Sequence, residues 1–162
     1  MFKIINASTH DIPLIRELTF KIWPQTYAAM LSPEQIDYML DLMYSPASLQ
    51  KQMEDGSCFH ILYDDDEPVG FSAHQNLGEG MFKLHKIYLL QNRQGRGYGK
   101  FLLQFIIDEI KKQNATALQL QVNRYNKAKD FYEKLGFTIL YEADFDIGDG
   151  YFMNDYVMEK KI

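Results

Sequence analysis

One cysteine in 162 residues leaves nothing to form an internal disulfide or a C-x-x-C metal or redox pair. No run approaches the roughly 18 consecutive apolar residues that a membrane-spanning helix needs. Lys3, Asn6, Ser8 and His10 interrupt the first residues too early for the apolar stretch of a secretory signal. An excess of basic charge is missing too. Lys and Arg number 17 against 22 Asp and Glu, a net charge of −5, which argues against a general nucleic-acid binder. There is no internal repeat, low-complexity tract or linker. These absences leave a cytoplasmic domain without a membrane or nucleic-acid partner as the expectation. What is present fits one domain, since the chain is close to the roughly 150 residues typical of one. Apolar residues make up 46% and charged residues 24%, near the globular average.

Residues 2–6 form a short strand candidate. Ser8 and Thr9 offer helix N-caps and Asp11 suits the first turn. Ile12, Ile15, Leu18 and Ile22 then recur at helical spacing until Trp23-Pro24. Ser32-Pro33-Glu34-Gln35 starts a second helix: serine caps, proline fits the first helical position, and Gln35 completes a capping box. Ser45-Pro46 opens a third, short helix. Residues 58–63, 69–74 and 81–90 read as strands, the first two joined by the Asp64–Pro68 turn. Cys58, among apolar neighbours, reads as a core residue. A Gly-rich loop at 93–100 precedes an apolar-rich helix at 101–112. Residues 117–122 alternate strictly as a strand. Ala128, Phe131, Tyr132 and Leu135 form a helical stripe stopped by Gly136. Strands at 137–141 and 151–159 close the chain. This order predicts an α/β (α+β) fold, a mixed sheet with helices on both faces.

Glycines at 95, 97 and 99, between a strand and a helix, let the backbone turn its N–H groups toward one spot at a helix N-terminus, which is an anion site. Arg93, Arg96 and Lys100 add cations. The P-loop pattern fails, because Gln94 stands where its first glycine should be and Phe101 follows Lys100. The dinucleotide pattern G-x-G-x-x-G fails on spacing. A turn that only reverses the chain stays open.

Gln94-x-x-Gly97-x-Gly99 resembles the Q/R-x-x-G-x-G/A signature of the GNAT N-acetyltransferases. Ile87-Tyr88-Leu89 stands where that family has its L-x-V strand end. Asn126-Lys127-Ala128-x-x-Phe131-Tyr132-Glu133-Lys134-Leu135-Gly136-Phe137 is similar to the second signature, N-x-x-A-x-x-x-Y-E-K-x-G-F, with one residue fewer between Asn126 and Ala128. Gln91 replaces the common proline after the strand. The resemblance is strongest over about residues 81–162.

The resemblance implies a mostly antiparallel sheet whose splayed parallel strand pair holds acetyl-CoA, with no metal. It puts the pantetheine along the backbone of Ile87, Tyr88 and Leu89, with Leu89 N–H as donor to the thioester oxygen. The amides of Gln94, Gly95, Arg96, Gly97, Tyr98, Gly99 and Lys100 would take the pyrophosphate, and Asn123 or Asn126 the pantetheine arm. Tyr132 matches the family's general acid for the leaving thiolate; read from the residues alone it is a core side chain. An alkylamine with a pKa near 10.4 must also lose a proton at pH 7, at about 4–5 kcal/mol. His85, Glu79 or a water chain are the candidates to take it.

Trp23 and Tyr27 are either core or an aromatic wall for a cationic acceptor. Glu142, Asp144, Asp146, Asp149 and Asp155 make the closing segment acidic, either a solvated loop or a rim that attracts an amine. The leading expectation is acetyl transfer to a primary amine of a small molecule, with a polyamine first on the list. The alternatives are a protein N-terminal or lysine acetyltransferase, a non-catalytic CoA-binding module, and a nucleotide-phosphate binder. The family often forms homodimers, although no sequence feature here names an interface.

Overall fold

The computed structural model describes residues 1–162. Its strands are β1 (Phe2–Asn6), β2 (Cys58–Asp64), β3 (Glu67–Gly78), β4 (Met81–Leu89), β5 (Ala117–Asn123), β6 (Thr138–Gly148) and β7 (Tyr151–Lys161). Its helices are α1 (Ile12–Tyr27), α2 (Pro33–Tyr44), α3 (Pro46–Glu54), α4 (Tyr98–Lys111) and α5 (Ala128–Lys134). The strands form one sheet in the order β1-β2-β3-β4-β5-β7-β6. Every neighbouring pair is antiparallel except β4 and β5.

Strand alternation sends apolar side chains to both faces. Helices α1, α2 and α3 cover one face over Ile61, Phe71 and Ala73. Helices α4 and α5 cover the other over Phe82, Leu84, Leu118 and Leu120. Leu102, Leu103, Ile106, Ile107 and Ile110 of α4 are all buried, each worth about 1.5–3 kcal/mol. That burial fixes where the N-terminus of α4 points. No helix is long and apolar enough to cross a membrane.

Local chemistry sets the helix starts. Ser32 and Ser45 cap α2 and α3 by accepting from Gln35 N and Ser48 N, each with proline in the first turn. The capping box expected at Ser32 is incomplete, because the Gln35 amide donates instead to Phe152 O at 2.7 Å. A full box forms at Ser8 and Asp11. Helix α1 runs through Pro24 to Tyr27 rather than ending at Trp23-Pro24. An internal proline costs about 3 kcal/mol; packing of Trp23 and a Tyr27–Tyr88 hydrogen bond of 2.9 Å offset it. Cys58 is exposed, not core, because it opens β2 before the buried run that starts at Phe59.

Candidate active site

Strands β4 and β5 pair as Met81 with Ala117, Phe82 with Leu118, Lys83 with Gln119 and Leu84 with Leu120, and there the ladder stops. Beyond Leu84 each strand keeps its other neighbour: β4 stays on β3 up to Leu89, and β5 stays on β7 up to Asn123. The two strands therefore part while both remain rigid. A bulge in the β3–β4 register accompanies the parting, since Ala73 faces Lys86 while His74 faces Leu84. His85 is the extra residue.

The open edge of β4 has a defined polarity. Leu90 N–H donates to Val69 O on the β3 side, so the period-2 alternation turns the amides of Leu89 and Ile87 toward the gap. Those groups are free to pair with an extended chain. After Leu89 comes a short 3₁₀ turn at Gln91–Arg93, and then the start of α4. Gly97 has φ 82°, a left-handed conformation that a side chain would strain. The expected Gln94 amide is spent on Gln91 O at 3.3 Å, but the amide N–H groups of Gly95, Arg96, Gly97, Tyr98, Gly99 and Lys100 have no partner within the chain, and no side chain caps α4. This cluster of free donors at a helix N-terminus suits a pyrophosphate. Arg96 and Lys100 are exposed beside it. Arg93 is tied to Glu67, and the buried Tyr98 donates its hydroxyl to Asp64 at 2.6 Å, so Tyr98 contributes only its backbone.

Asn123 and Asn126 stand at the end of β5 and before α5. Each spends its carbonyl oxygen locally: Asn123 Oδ1 accepts from Tyr125 N and Asn126 Oδ1 from Ala128 N, both at 2.9 Å. Their NH₂ groups remain as donors. Gly99 lies against α5: a Cβ there would sit 3.4 Å from Phe131.

Tyr132 belongs to the α4–α5 core and Tyr27 to the opposite one. Burial pushes the Tyr132 phenol well above its ordinary value, and its hydroxyl has no hydrogen-bond partner in the chain. The charge of Tyr27 adds to the rise of the Tyr132 phenol. Tyr27, pushed up to about 12 chiefly by burial, pairs with Tyr88. Trp23 packs against Tyr27 with ring centroids 4.6 Å apart and is buried, so it is core and supports Tyr27.

The structure brings His85 to the neck of the gap but not Glu79. Gln75 donates its amide to Asp55 O, so its oxygen accepts from His85 Nε2 at 2.9 Å. That leaves His85 Nδ1 as the free acceptor. Desolvation and the neighbouring Lys83 and Lys86 push His85 down to about 4. Glu79 sits in the β3–β4 turn with φ 55°, at the paired end of β4. At about 3.3 Å per residue, nine residues of strand put it roughly 30 Å from Leu89. Glu142 faces Arg124, which also holds Asp144 at 2.7 Å, so one guanidinium is shared between the two carboxylates.

Sequence reasoning missed Lys83, Gln121 and Lys86 beside the gap, and read Asp155 only as one acid of the closing segment. Lys83 Nζ donates to Gln121 Oε1 at 2.6 Å, and Gln121 Nε2 donates to Asp155 Oδ2 at 3.4 Å. Lys86 is buried over the Tyr44 ring, 4.7 Å from its centroid, and desolvation lowers it to about 8. Asp155 is buried, and desolvation pushes it up to about 6. The available signal was charge inside apolar strands, at Lys83, Lys86 and Asp155. No group of three or more His, Cys, Asp or Glu side chains could hold a metal ion.

Comparison with known proteins meets this geometry. The acetyltransferase (GNAT) domain model matches residues 27–156. The chain is 26% identical to an uncharacterized N-acetyltransferase of Lactobacillus delbrueckii subsp. lactis, over 99% of this chain and 97% of that one. It is 34% identical over 77 residues to the ribosomal protein bS18-alanine N-acetyltransferase of Haemophilus influenzae, covering 48% of this chain and 52% of that one. The solved PaiA N-acetyltransferase of Thermoplasma acidophilum, in complex with coenzyme A, matches with a TM-score of 0.84 and 26% identity, over 100% of this chain and 99% of that one.

Proposed function

Because the chain belongs to the GNAT acetyltransferase family, an N-acetyltransferase that uses acetyl-CoA, we propose that it acetylates a primary amine of a small molecule. The observation that carries this reading is the parting of β4 and β5 after Leu84 and Leu120, beside free amides that begin α4.

The residues present fit the co-substrate. The free amides from Gly95 to Lys100 take the pyrophosphate, with Arg96 and Lys100 as counter-charges. The outward amides of Ile87 and Leu89 pair with the pantetheine arm, and Asn123 or Asn126 donates an NH₂ to it. Bound there, acetyl-CoA supplies an activated acyl group. Leu89 N–H, rigid in the sheet, stabilises the charge that develops on the carbonyl oxygen. Tyr132, with a high pKa and a free hydroxyl, keeps its proton until the thiolate needs it.

The small-molecule reading is supported by the β6–β7 hairpin. Tyr38 of α2 donates to Ile147 O at 2.6 Å, Gln35 donates to Phe152 O, and the Tyr38 and Tyr151 rings meet at 5.0 Å. These contacts strap the hairpin onto α2, an arrangement that suits a compact acceptor better than an extended peptide. A polyamine draws less support from the acidic hairpin than its composition suggests. Arg124 offsets part of the charge of Glu142 and Asp144, and these two and Asp146 lie on the α4–α5 face of the sheet, opposite Lys83 and Asp155. Likeness to a protein N-terminal acetyltransferase over about half the chain favours a peptide as the second reading. Thiol release from acetyl-CoA with spermidine, spermine, amino acids, aminoglycosides and short peptides separates the two.

A further inference from the structure

Three polar side chains lie in a row on the sheet face under α1 and α2. The row runs from Lys83 on β4 through Gln121 on β5 to Asp155 on β7, with donor–acceptor distances of 2.6 and 3.4 Å. It crosses the sheet where the gap opens, since Gln121 directly follows Leu120 of the last parallel pair. Asp155 pairs with Asn123 at the end of β5, beside the splayed edge.

Asp155 is 6% exposed, yet no cation touches it. Its one hydrogen bond is the long one from Gln121. Lys83 bonds the neutral Gln121 rather than the carboxylate, and Arg124 is committed to Glu142 and Asp144. Burying a carboxylate with so little compensation is unfavourable. The fold offers no structural partner that explains it. The carboxylate keeps most of its acceptor capacity, and the register puts Asp155 on the same face as Met153, which packs in the α1–α3 core, so it faces the helix side of the gap.

We propose that the Asp155 carboxylate binds the ammonium group of the acceptor and takes its first proton. This rests on the acetyl-transfer reading above. The ammonium gives one proton to Asp155, and the freed nitrogen lone pair forms the C–N bond at the thioester carbonyl carbon. The C–S bond breaks and sulfur leaves with the electron pair. It takes a proton from the Tyr132 phenol, which is refilled by the second proton leaving nitrogen. Asp155 then releases its proton to solvent. The sum is ammonium plus thioester giving amide, thiol and one proton.

The groups facing Asp155 are Gln121, Lys83 on β4, Arg124 after β5 and Tyr27 on α1. Burial outweighs the first three and raises the carboxyl to about 6. It is therefore ionised at pH 7 and about 100-fold more basic than an ordinary carboxylate. His85, held near 4, is a weaker base by about the same factor.

The test is kcat/KM between pH 5 and 10.5 for wild type, Asp155→Asn and Asp155→Glu, with the best amine of the panel. Coenzyme A affinity is measured in parallel. Wild type should rise through about pH 6 to a plateau that lasts until the amine's own pKa. Asp155→Asn should lose about 10²- to 10⁴-fold at pH 7. Its activity should climb with unit slope up to the amine's pKa, because only free amine then reacts, and coenzyme A affinity should stay within about 2-fold. Asp155→Glu should restore the plateau in part. A wild-type profile in Asp155→Asn overturns the proposal, as does a uniform loss that keeps the wild-type shape. If Asp155→Asn fails to fold, Asp155→Glu carries the test, and an unshifted acid limb overturns the proposal. A wild type that binds coenzyme A but acetylates no amine overturns the acetyl-transfer reading itself.

Discussion

Leu84 and Leu120 are the last residues of β4 and β5 to face each other as a parallel pair. One residue further along, each strand holds only its antiparallel neighbour. Two rigid edges thus diverge with backbone groups unspent, and an extended acyl carrier can be read there as an extra strand. The free amides at the start of α4 follow β4, and Tyr132 lies on α5, which follows β5.

Removing that hydroxyl tests its role. Tyr132→Phe should keep the packing against Phe131 and Phe137 while lowering kcat about 10²-fold or more. Coenzyme A affinity should not change. Unchanged kcat in steady-state kinetics would remove Tyr132 from proton transfer.

Gly97 carries the turn into α4 at φ 82°. Gly97→Val forces a β-branched residue into the left-handed region, at a strain of about 1–2 kcal/mol or more, and tilts the free amides. Coenzyme A binding by calorimetry should weaken about 10-fold. Wild-type affinity would mean that the pyrophosphate lies elsewhere.

How much of this was legible in the sequence follows from the kind of interaction involved. The segment from β4 to α5 could be read because its signals are local: alternation, glycine spacing and a helical stripe. The sheet order was not legible, since β7 inserts between β5 and β6 through pairings that no local pattern encodes. Gln35 left its expected capping role for Phe152, 117 residues away. Glu79 was a candidate because it lies just before the strand that lines the gap, but strand geometry puts it at the far end of β4 from Leu89. Asp155 looked like one more acid in an acidic hairpin, and only the register opposite Asn123 puts it at the gap.

Asp155 also links function to stability. Its folded-state pKa is raised from 3.8 to about 6. Its contribution to stability is therefore full below about 4 and is lost as pH rises through about 6. At pH 7 the buried charge costs about 1–3 kcal/mol. Asp155→Asn should raise Tm at pH 7 by several degrees while activity falls. A lower Tm at pH 7 in thermal unfolding would count against a strained carboxylate.

His74 acts in the opposite direction. It is buried and stacks on His60 with ring centroids 5.5 Å apart. Desolvation, then the charge of His60, lowers it from 6.5 to about 4. Its contribution to stability is present above 6.5 and is lost as pH falls from 6.5 toward 4, by about 2–3 kcal/mol. Urea unfolding at pH 7 and 4.5 should show a smaller acid loss in His74→Leu than in wild type. Equal losses would place the acid sensitivity elsewhere.

Tyr38 and Gly148 lock the hairpin to α2. Gly148 has φ 94°, and a Cβ there would lie 2.6 Å from Tyr38 Oη. Tyr38→Phe deletes the hydrogen bond to Ile147 O, worth about 1 kcal/mol. KM for the amine should rise about 3- to 10-fold with kcat and coenzyme A affinity unchanged. An unchanged KM would show that the strap does not shape the acceptor site.

The most direct test of the central claim is thiol release from acetyl-CoA across the amine panel, with a no-amine control and mass analysis of the product. Turnover that depends on one class of small primary amine, with one N-acetyl product per thiol, is the predicted result. Coenzyme A binding without turnover for any acceptor, or turnover with peptides alone, would contradict it.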